Sequence, residues 1–470
     1  MRSSGAERRD RRRREGREAG LLAGMDVRTA AWRVLLDMEQ GAPAQAALDA
    51  FLRASSLTAG GKGQCTELVY GCLRTELRLA FVLGRLLPHP EKLPRSCLLL
   101  LELAAYAMIF MESMPAYAVV DWAVGQARQC WGQRLAGVVN GVLRSLGRML
   151  AEVRQREFYV EPCPSGGRKA AARAARMELS RWYAMPRWIV DVWCSSYGME
   201  AAEALLARSF RRPWNCLRLN PEHAQADAVR AALLALAAEE DCIPLTGGSG
   251  FAFAPGKSPA LLAGREVGDW VRQGAVSWQA AGSQAVLAAL GCQSWRVPVW
   301  DACCGQGGKT AFLLERGVPV VLASDMHPGR LGRVRSECRR LGLSAPLVVL
   351  ADMTQPPVRQ WAGNVLLDVP CTGLGTLARR PDIRRHRAFA VLEEMRALQE
   401  RILDAAWQVM APGYELAYIT CALDPQENEG QVAAFLARHQ DAELLREWQT
   451  PHDHPWMEGM YGACLRKREG

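Results

Sequence analysis

Residues 297–310 read Val297-Pro298-Val299-Trp300-Asp301-Ala302-Cys303-Cys304-Gly305-Gln306-Gly307-Gly308-Lys309-Thr310. A short apolar run ends on an acid, a glycine-rich turn follows, and a helical pattern starts near Thr310. Gly305, Gly307 and Gly308 allow the backbone to come close to a ligand. The turn is not a Walker A loop, which requires glycine where Cys303 stands, and it is not a G-x-G-x-x-G fingerprint. Working outward, apolar runs at 297–302, 318–323, 347–350, 365–367 and 415–419 alternate with helical patterns near Thr310, Arg330, Glu393 and Gln426. This alternation predicts a doubly wound, Rossmann-like α/β domain over residues 286–470, with its ligands at the carboxyl ends of the strands. Asp325 ends the second strand, where it is placed to accept hydrogen bonds from a ribose diol. Asp352 ends the third, where it is placed to hold an adenine amino group. Polar groups at three successive strand ends predict an adenosine cofactor without phosphates. The plain alternative for both aspartates is loop capping.

Two cysteines fifty residues apart follow the fourth and fifth strand candidates. Cys371 stands in Leu367-Asp368-Val369-Pro370-Cys371-Thr372-Gly373; Cys421 stands in Tyr418-Ile419-Thr420-Cys421, with Glu427-Asn428-Glu429 beyond. A thiol beside a nucleotide-shaped cofactor suits methyl transfer to carbon 5 of a pyrimidine. That carbon is a poor nucleophile until a thiolate adds at carbon 6 and makes the ring enamine-like. An acid near ring N3 assists the electron shift, and a base must later remove the carbon 5 proton. On chemistry alone either thiol can be the nucleophile. Arg379-Arg380-Pro381-Asp382-Ile383-Arg384-Arg385 follows the first cysteine motif and suits phosphate contacts at the mouth of a site. A solvated helix start is the alternative.

A chain of 470 residues, 49% of them hydrophobic, is long enough for two to four domains with real cores. Its net charge of +9 favours a polyanionic partner. None of the fifteen cysteines forms a C-x-x-C pair, so no zinc ribbon or other metal site is expected. With no secretory signal, the thiols read as reduced and the protein as cytoplasmic. The apolar segment 97–111 is short and carries Glu102, which marks a buried helix and no membrane span. Residues 1–24 form an arginine-rich tail without apolar periodicity, expected to be disordered. Contact with RNA phosphates and translation from upstream of a start at Met25 are both open for it. Residues 25–155 show helical spacing throughout and predict an all-α domain of five to seven helices. Glu161 to Gly167 reads as a linker, and residues 175–285 as a connecting α+β region with a strand at 215–220 and a helix at 224–238.

At these motifs the chain resembles the RsmB/NOP family of RNA 5-methylcytosine methyltransferases, and most closely its bacterial branch acting on 16S ribosomal RNA. The family's cofactor turn, D-x-C-A-A-P-G-G-K, is matched in length and at its ends by Asp301 to Lys309; Cys304, Gly305 and Gln306 replace its centre. Gln306 in place of proline predicts a looser turn. Asp368-Val369-Pro370-Cys371 matches D-A-P-C, Thr420-Cys421 with Glu427-Asn428 matches the T-C motif with its trailing E-N, and Arg379-Arg380-Pro381-Asp382 matches a family run. Residues 68–74, 114–118 and 139–144 are similar to the NusB-type RNA-binding domain of that branch. Residues 186–198 and 279–284 resemble the connecting RNA-binding region, with Ala280 where the family usually has aspartate. The resemblance implies a class I methyltransferase using S-adenosylmethionine, held by Cys303, Cys304, Gly305, Gln306, Gly307, Gly308, Lys309, Asp325, Asp352 and Asp368. It implies Cys421 as the nucleophile, Cys371 as an aid to product release, and Asp368 as a contact to the cytosine. Arg379, Arg380, Arg384 and Arg385 are the expected RNA contacts. The expected partner is 16S ribosomal RNA or a small-subunit assembly intermediate, bound by a monomer. The same reaction on transfer RNA or another ribosomal site is one alternative. The other is a NusB-like RNA-binding factor with an idle methyltransferase domain.

Overall fold

The computed structural model describes residues 25–161, 167–245, 248 and 250–469. The basic tail and most of the expected linker, 162–166, lie outside the described residues, as do 246, 247 and 249 of the expected glycine turn. The chain divides after Val190 into two compact units. No helix among the described residues is long and apolar enough to cross a membrane.

The first unit is helical. Helices Val27–Glu39, Ala44–Ala54, Ala59–Leu86, Arg95–Phe110 and Ala116–Arg148 build it, and no strand forms among its described residues. Arg95–Phe110 is apolar on nearly every face, so it is surrounded; its Glu102 is held by Arg95 Nη1 at 2.7 Å. Tyr106 of this helix lies against Gly71, where a Cβ would fall 2.0 Å from the ring, so only glycine permits the close crossing. The buried Arg78 donates to Tyr159 Oη at 2.9 Å and to the Val153 and Trp182 carbonyls, and its guanidinium stacks 3.9 Å from the Trp182 ring. Trp182 ends helix Arg168–Trp182, inside which the expected start of the connecting region at residue 175 falls. Apolar spacing did not reveal this helix, because its sequence is dominated by alanine and arginine. Its aromatic end packs with the first unit, so the division falls later, in helix Arg187–Phe210.

The second unit holds two main sheets. The smaller comprises β1 (Asn215–Leu219), β2 (Ile243–Pro244), β3 (Gly250–Phe253) and β6 (Val276–Trp278) in the antiparallel order β2-β3-β1-β6; β4 (Leu261–Leu262) and β5 (Arg265–Glu266) form a separate hairpin. The larger has seven strands: β7 (Val299–Asp301), β8 (Val320–Asp325), β9 (Leu347–Leu350), β10 (Asn364–Asp368), β11 (Glu415–Thr420), β12 (Ala442–Gln449) and β13 (Tyr461–Lys467). Their order is β12-β13-β11-β10-β7-β8-β9, parallel from β7 to β11 and antiparallel at β13 and β12. The five strands that the apolar runs predict are the parallel ones, and β13 and β12 add an antiparallel edge. β12 reads AELLREWQ, with helix-forming residues, and β13 is rich in small side chains, so neither carries a β signature on its own. The order reverses between β7 and β10, and that switch point opens the crevice in which such sheets bind ligands.

Both sheets belong to one compact unit, and a buried ion pair connects them. Arg218 of β1 meets Glu315, just past helix Gly308–Leu314, through Nη2–Oε1 and Nε–Oε2 contacts of 2.7 Å each. Arg218 Nη1 also donates to the Gly308 carbonyl at 3.0 Å, at the start of that helix. Both partners are almost wholly buried, so removing one leaves an uncompensated charge. Glu315→Ala is expected to destabilise the second unit by about 3–5 kcal/mol, measured by urea denaturation; an unchanged midpoint would show that the pair does not couple the sheets.

Candidate active site

The crevice begins at the turn after β7. Gly305 (φ +56) and Gly307 (φ +86) take left-handed backbone, and Gly307 caps helix Gly308–Leu314. A Cβ at Gly307 would press on Val334, 3.2 Å away, whereas nothing lies within 4 Å of one at Gly305. The turn is therefore packed on one side and open on the other. Cys304 N donates to the Ser324 carbonyl at 2.9 Å, and Gln306 Oε1 accepts from Arg333 Nη1 at 2.9 Å. The looser turn expected from Gln306 is thus countered by a tether to helix Pro328–Arg340. Burial pushes the thiols of Cys303 and Cys304 up, so both act as neutral packing groups.

Asp325 shapes the same turn. Its Oδ2 accepts Gly305 N at 3.0 Å and its Oδ1 accepts His327 N at 2.8 Å, with His327 Nδ1 at 3.3 Å and Arg330 Nη1 at 4.0 Å beside the same carboxylate. Met326, the next residue, is exposed, as is Leu350, the register partner of Asp325 on β9. Asp352 is exposed; its Oδ1 caps Thr354 through N and Oγ1, each at 2.9 Å. Asp301 is fully buried: Oδ2 accepts from Thr310 Oγ1 at 2.5 Å, and Oδ1 has no hydrogen-bond partner among the described residues. Burial pushes its carboxyl up to about 7. An open glycine turn, exposed apolar residues beside an acid, and a buried carboxylate oxygen that needs a donor fit an adenosine compound with a cationic amino-acid end.

The two thiols meet at the carboxyl ends of the neighbouring strands β10 and β11, beside the switch point. Cys371, three residues past β10, and Cys421, one past β11, place their Sγ atoms 3.2 Å apart. Lys309 Nζ bonds Asp368 Oδ2 at 2.6 Å, which brings the end of the cofactor turn to the end of β10. The thiol pair is tightly coupled: hydrogen bonding from Cys371 draws the Cys421 thiol down, and the Cys371 thiol is correspondingly pushed up. Of the two thiols, Cys421 is therefore the one that ionises more readily. The carbonyl of Cys421 accepts Gly375 N at 2.8 Å, and a Cβ at Gly375 would fall 2.0 Å from the Gly459 carbonyl oxygen. Glycine at 375 is what lets the first cysteine loop lie against the second.

Adjacent buried residues, Glu427 and Asn428, fix the two loops. Glu427 Oε2 accepts Thr372 N at 2.9 Å and Gln399 Nε2 at 2.8 Å, and its Oε1 accepts Thr372 Oγ1 at 2.5 Å. Gln399 Nε2 also donates to the Pro370 carbonyl at 2.9 Å. Asn428 Oδ1 accepts Thr420 Oγ1 at 2.6 Å, and its Nδ2 donates to the Ala422 carbonyl at 3.3 Å. Residues on both sides of Cys371 are thus tied through Glu427, and those on both sides of Cys421 through Asn428. The sequence motif contained both residues, but the role of Glu427 depends also on Gln399, which no local pattern singles out.

The four arginines expected to contact RNA divide into two pairs. Arg379 bonds Glu458 and the Trp214 carbonyl, and buried Arg384 donates to the Ser209 carbonyl at 2.8 Å. Those two guanidiniums are engaged within the fold. Arg380 is exposed and Arg385 half-buried. Glu458 also accepts Gly282 N at 3.1 Å at the start of helix Ala281–Ala289. It satisfies a helix-terminal donor where Ala280, in place of the family's aspartate, makes no side-chain cap.

A Vibrio cholerae protein named ribosomal RNA small subunit methyltransferase B is 32% identical over 422 residues, covering 86% of this chain and 88% of the relative. A Synechocystis protein named probable ribosomal RNA small subunit methyltransferase B is 30% identical over 420 residues, covering 86% and 87%. The crystal structure of PH0851 shares the fold, with a TM-score of 0.70 and 21% identity over 94% of this chain and 98% of its own. Fold and site together define a methyltransferase with a Rossmann-like domain that follows a NusB-like helical one. Residues 290–460 match the family described as 16S rRNA methyltransferase RsmB/F, and residues 25–148 match the NusB family. The chain belongs to the RsmB/F family of ribosomal RNA methyltransferases.

The depressed Cys421 thiol predicts selective alkylation. Iodoacetamide near neutral pH should label Cys421 ahead of Cys371, read by peptide mass spectrometry. Cys371→Ala removes the hydrogen bond that favours the thiolate, so labelling of Cys421 should then require higher pH. Equal labelling of both thiols would refute the charge assignment.

Proposed function

We propose that this protein is an S-adenosylmethionine-dependent RNA (cytosine-5)-methyltransferase acting on one cytosine of 16S ribosomal RNA through a covalent adduct at Cys421. The observation that carries the reading is the pair of thiols 3.2 Å apart at the ends of β10 and β11, beside a glycine turn and the Lys309–Asp368 pair. The names of the relatives supply the small-subunit target. In this reading the protein works as a monomer in the cytoplasm, on free 16S RNA or an assembly intermediate. Arg380, which is exposed, takes phosphate contacts.

The Cys421 thiolate adds to carbon 6, forming an S–C bond and pushing electron density toward N3 and carbon 5. Asp368, held by Lys309, meets the N3–N4 edge of the ring and supports the proton gained there. S-adenosylmethionine, when bound, supplies the sulfonium methyl group that carbon 5 takes. The residues that would hold it are those of the turn from Cys303 to Lys309, with Asp325 for the ribose, Asp352 for the adenine, and Asp301 and Asp368 for the amino-acid end. Release requires a general base to take the carbon 5 proton while the C6–S bond breaks and its electron pair returns to Cys421. Cys371 donates a hydrogen bond to that departing thiolate.

Two measurements test this reading. Cys421→Ala should form no covalent RNA adduct and transfer no methyl group. Cys371→Ala should still attack and then stall as an adduct that survives a denaturing gel. The reverse pattern would exchange the roles of the two thiols. Separately, Asp325→Ala should weaken S-adenosylmethionine binding by about 2–3 kcal/mol, the scale of lost charge-assisted hydrogen bonds. Unchanged affinity in calorimetry would take Asp325 out of the cofactor site.

A further inference from the structure

We infer that Glu427 and Asn428 are positioning residues for different halves of the catalytic cycle: Asn428 sets Cys421 for attack, and Glu427 sets Cys371 for release. The inference rests on the thiol roles proposed above.

The geometry divides cleanly at one peptide bond. Every side-chain hydrogen bond from Glu427 leads to the Cys371 loop, directly at Thr372 or through Gln399 at Pro370. Those from Asn428 lead to Thr420 and Ala422, the neighbours of Cys421. Thr372, Gln399, Thr420, Glu427 and Asn428 are at most 1% exposed, so water cannot replace a lost partner. A carboxylate is the group that can accept all three donors offered by Thr372 and Gln399. A carboxamide is the group that can accept from a hydroxyl and donate to a carbonyl at once. The residue types therefore match the two tasks. Tyr418 Oη, donating to the Glu427 carbonyl at 2.8 Å, ties the dipeptide to β11, so neither half is set by a mobile surface segment.

Placement at this precision matters because the two sulfurs act in turn on a single ring carbon bond. A displacement of about 1 Å can cost on the order of 100-fold in rate. Loosening the Cys371 loop alone should slow release and leave attack largely intact. Loosening the Cys421 loop should slow attack itself. A purely structural role would lower both in proportion to the folded fraction.

The test uses the full-length protein, labelled 16S RNA fragment and S-adenosylmethionine, with covalent adduct read on denaturing gels and folding checked by thermal melting. Glu427→Ala, and the near-isosteric Thr372→Val should the first fail to fold, are expected to accumulate adduct roughly 10-fold above the unmodified protein while turnover falls on the order of 100-fold. Asn428→Ala, or Asn428→Asp as the milder change, should form adduct more slowly by about 10–100-fold and accumulate none. Cys371→Ala and Cys421→Ala run alongside. Absence of an adduct in Cys371→Ala would defeat the thiol roles and this inference with them. An adduct there, but no excess in folded Glu427→Ala or Thr372→Val, would defeat the inference alone. Parallel loss of attack in the Glu427 and Asn428 variants would assign both to structure only.

Discussion

The carboxylate of Glu427 is the constraint on which the catalytic crevice depends. Parallel strands β10 and β11 bring their carboxyl ends side by side, but a sheet fixes backbones and not the loops that leave it. The loop carrying Cys371 runs past a buried interior where its amide and hydroxyl donors need acceptors. One side chain, fully buried, supplies them. Burial pushes the Glu427 carboxyl up, and the Thr372 and Gln399 donors oppose that shift by favouring the ionised form. With those donors satisfied, the two thiols stand 3.2 Å apart.

A second layer of buried charges holds the turn and the small sheet to the same frame. Arg218 joins β1 to Glu315 and to the Gly308 carbonyl, and Glu458 joins Arg379 to the start of helix Ala281–Ala289. Such pairs are costly to desolvate and add modest net stability, but breaking one is severe, so they enforce a particular arrangement. Their placement explains why arginines that look available in the sequence are not. Arg379 and Arg384 stand in a basic run beside a catalytic loop, yet both point into carbonyls and acids of the fold.

Alternation of apolar runs with helical spacing was legible for β7 to β11, because the central parallel strands are buried and nearly continuously apolar, and the exposed edge strand β9 is apolar throughout as well. It was not legible for β12 and β13, whose residues favour other conformations and become strands by pairing with each other and with β11. Helix Arg168–Trp182 escaped for a related reason: alanine and arginine give no apolar stripe, and its place is fixed by Trp182 meeting Arg78. Asp352 shows the opposite case, a residue read correctly as a strand-end acid whose Oδ1 nevertheless caps its own loop.

The sequence alone pointed to a methyltransferase: a glycine turn leading from a strand into a helix and motifs at fixed spacing after later strands are local features that survive without coordinates. It also determined the helical character of the first unit, since a repeat of three to four residues is written into the chain. Tertiary structure alone decided which groups are free to act. Whether an arginine meets solvent or a buried glutamate, and which of two thiols ionises more readily, depends on partners far away in the chain. Gln399 lies 28 residues from Glu427 and Thr372 lies 55 away, and only folding brings them together. Spacing along a chain records periodic local geometry, whereas burial and hydrogen-bond satisfaction are properties of the packed whole.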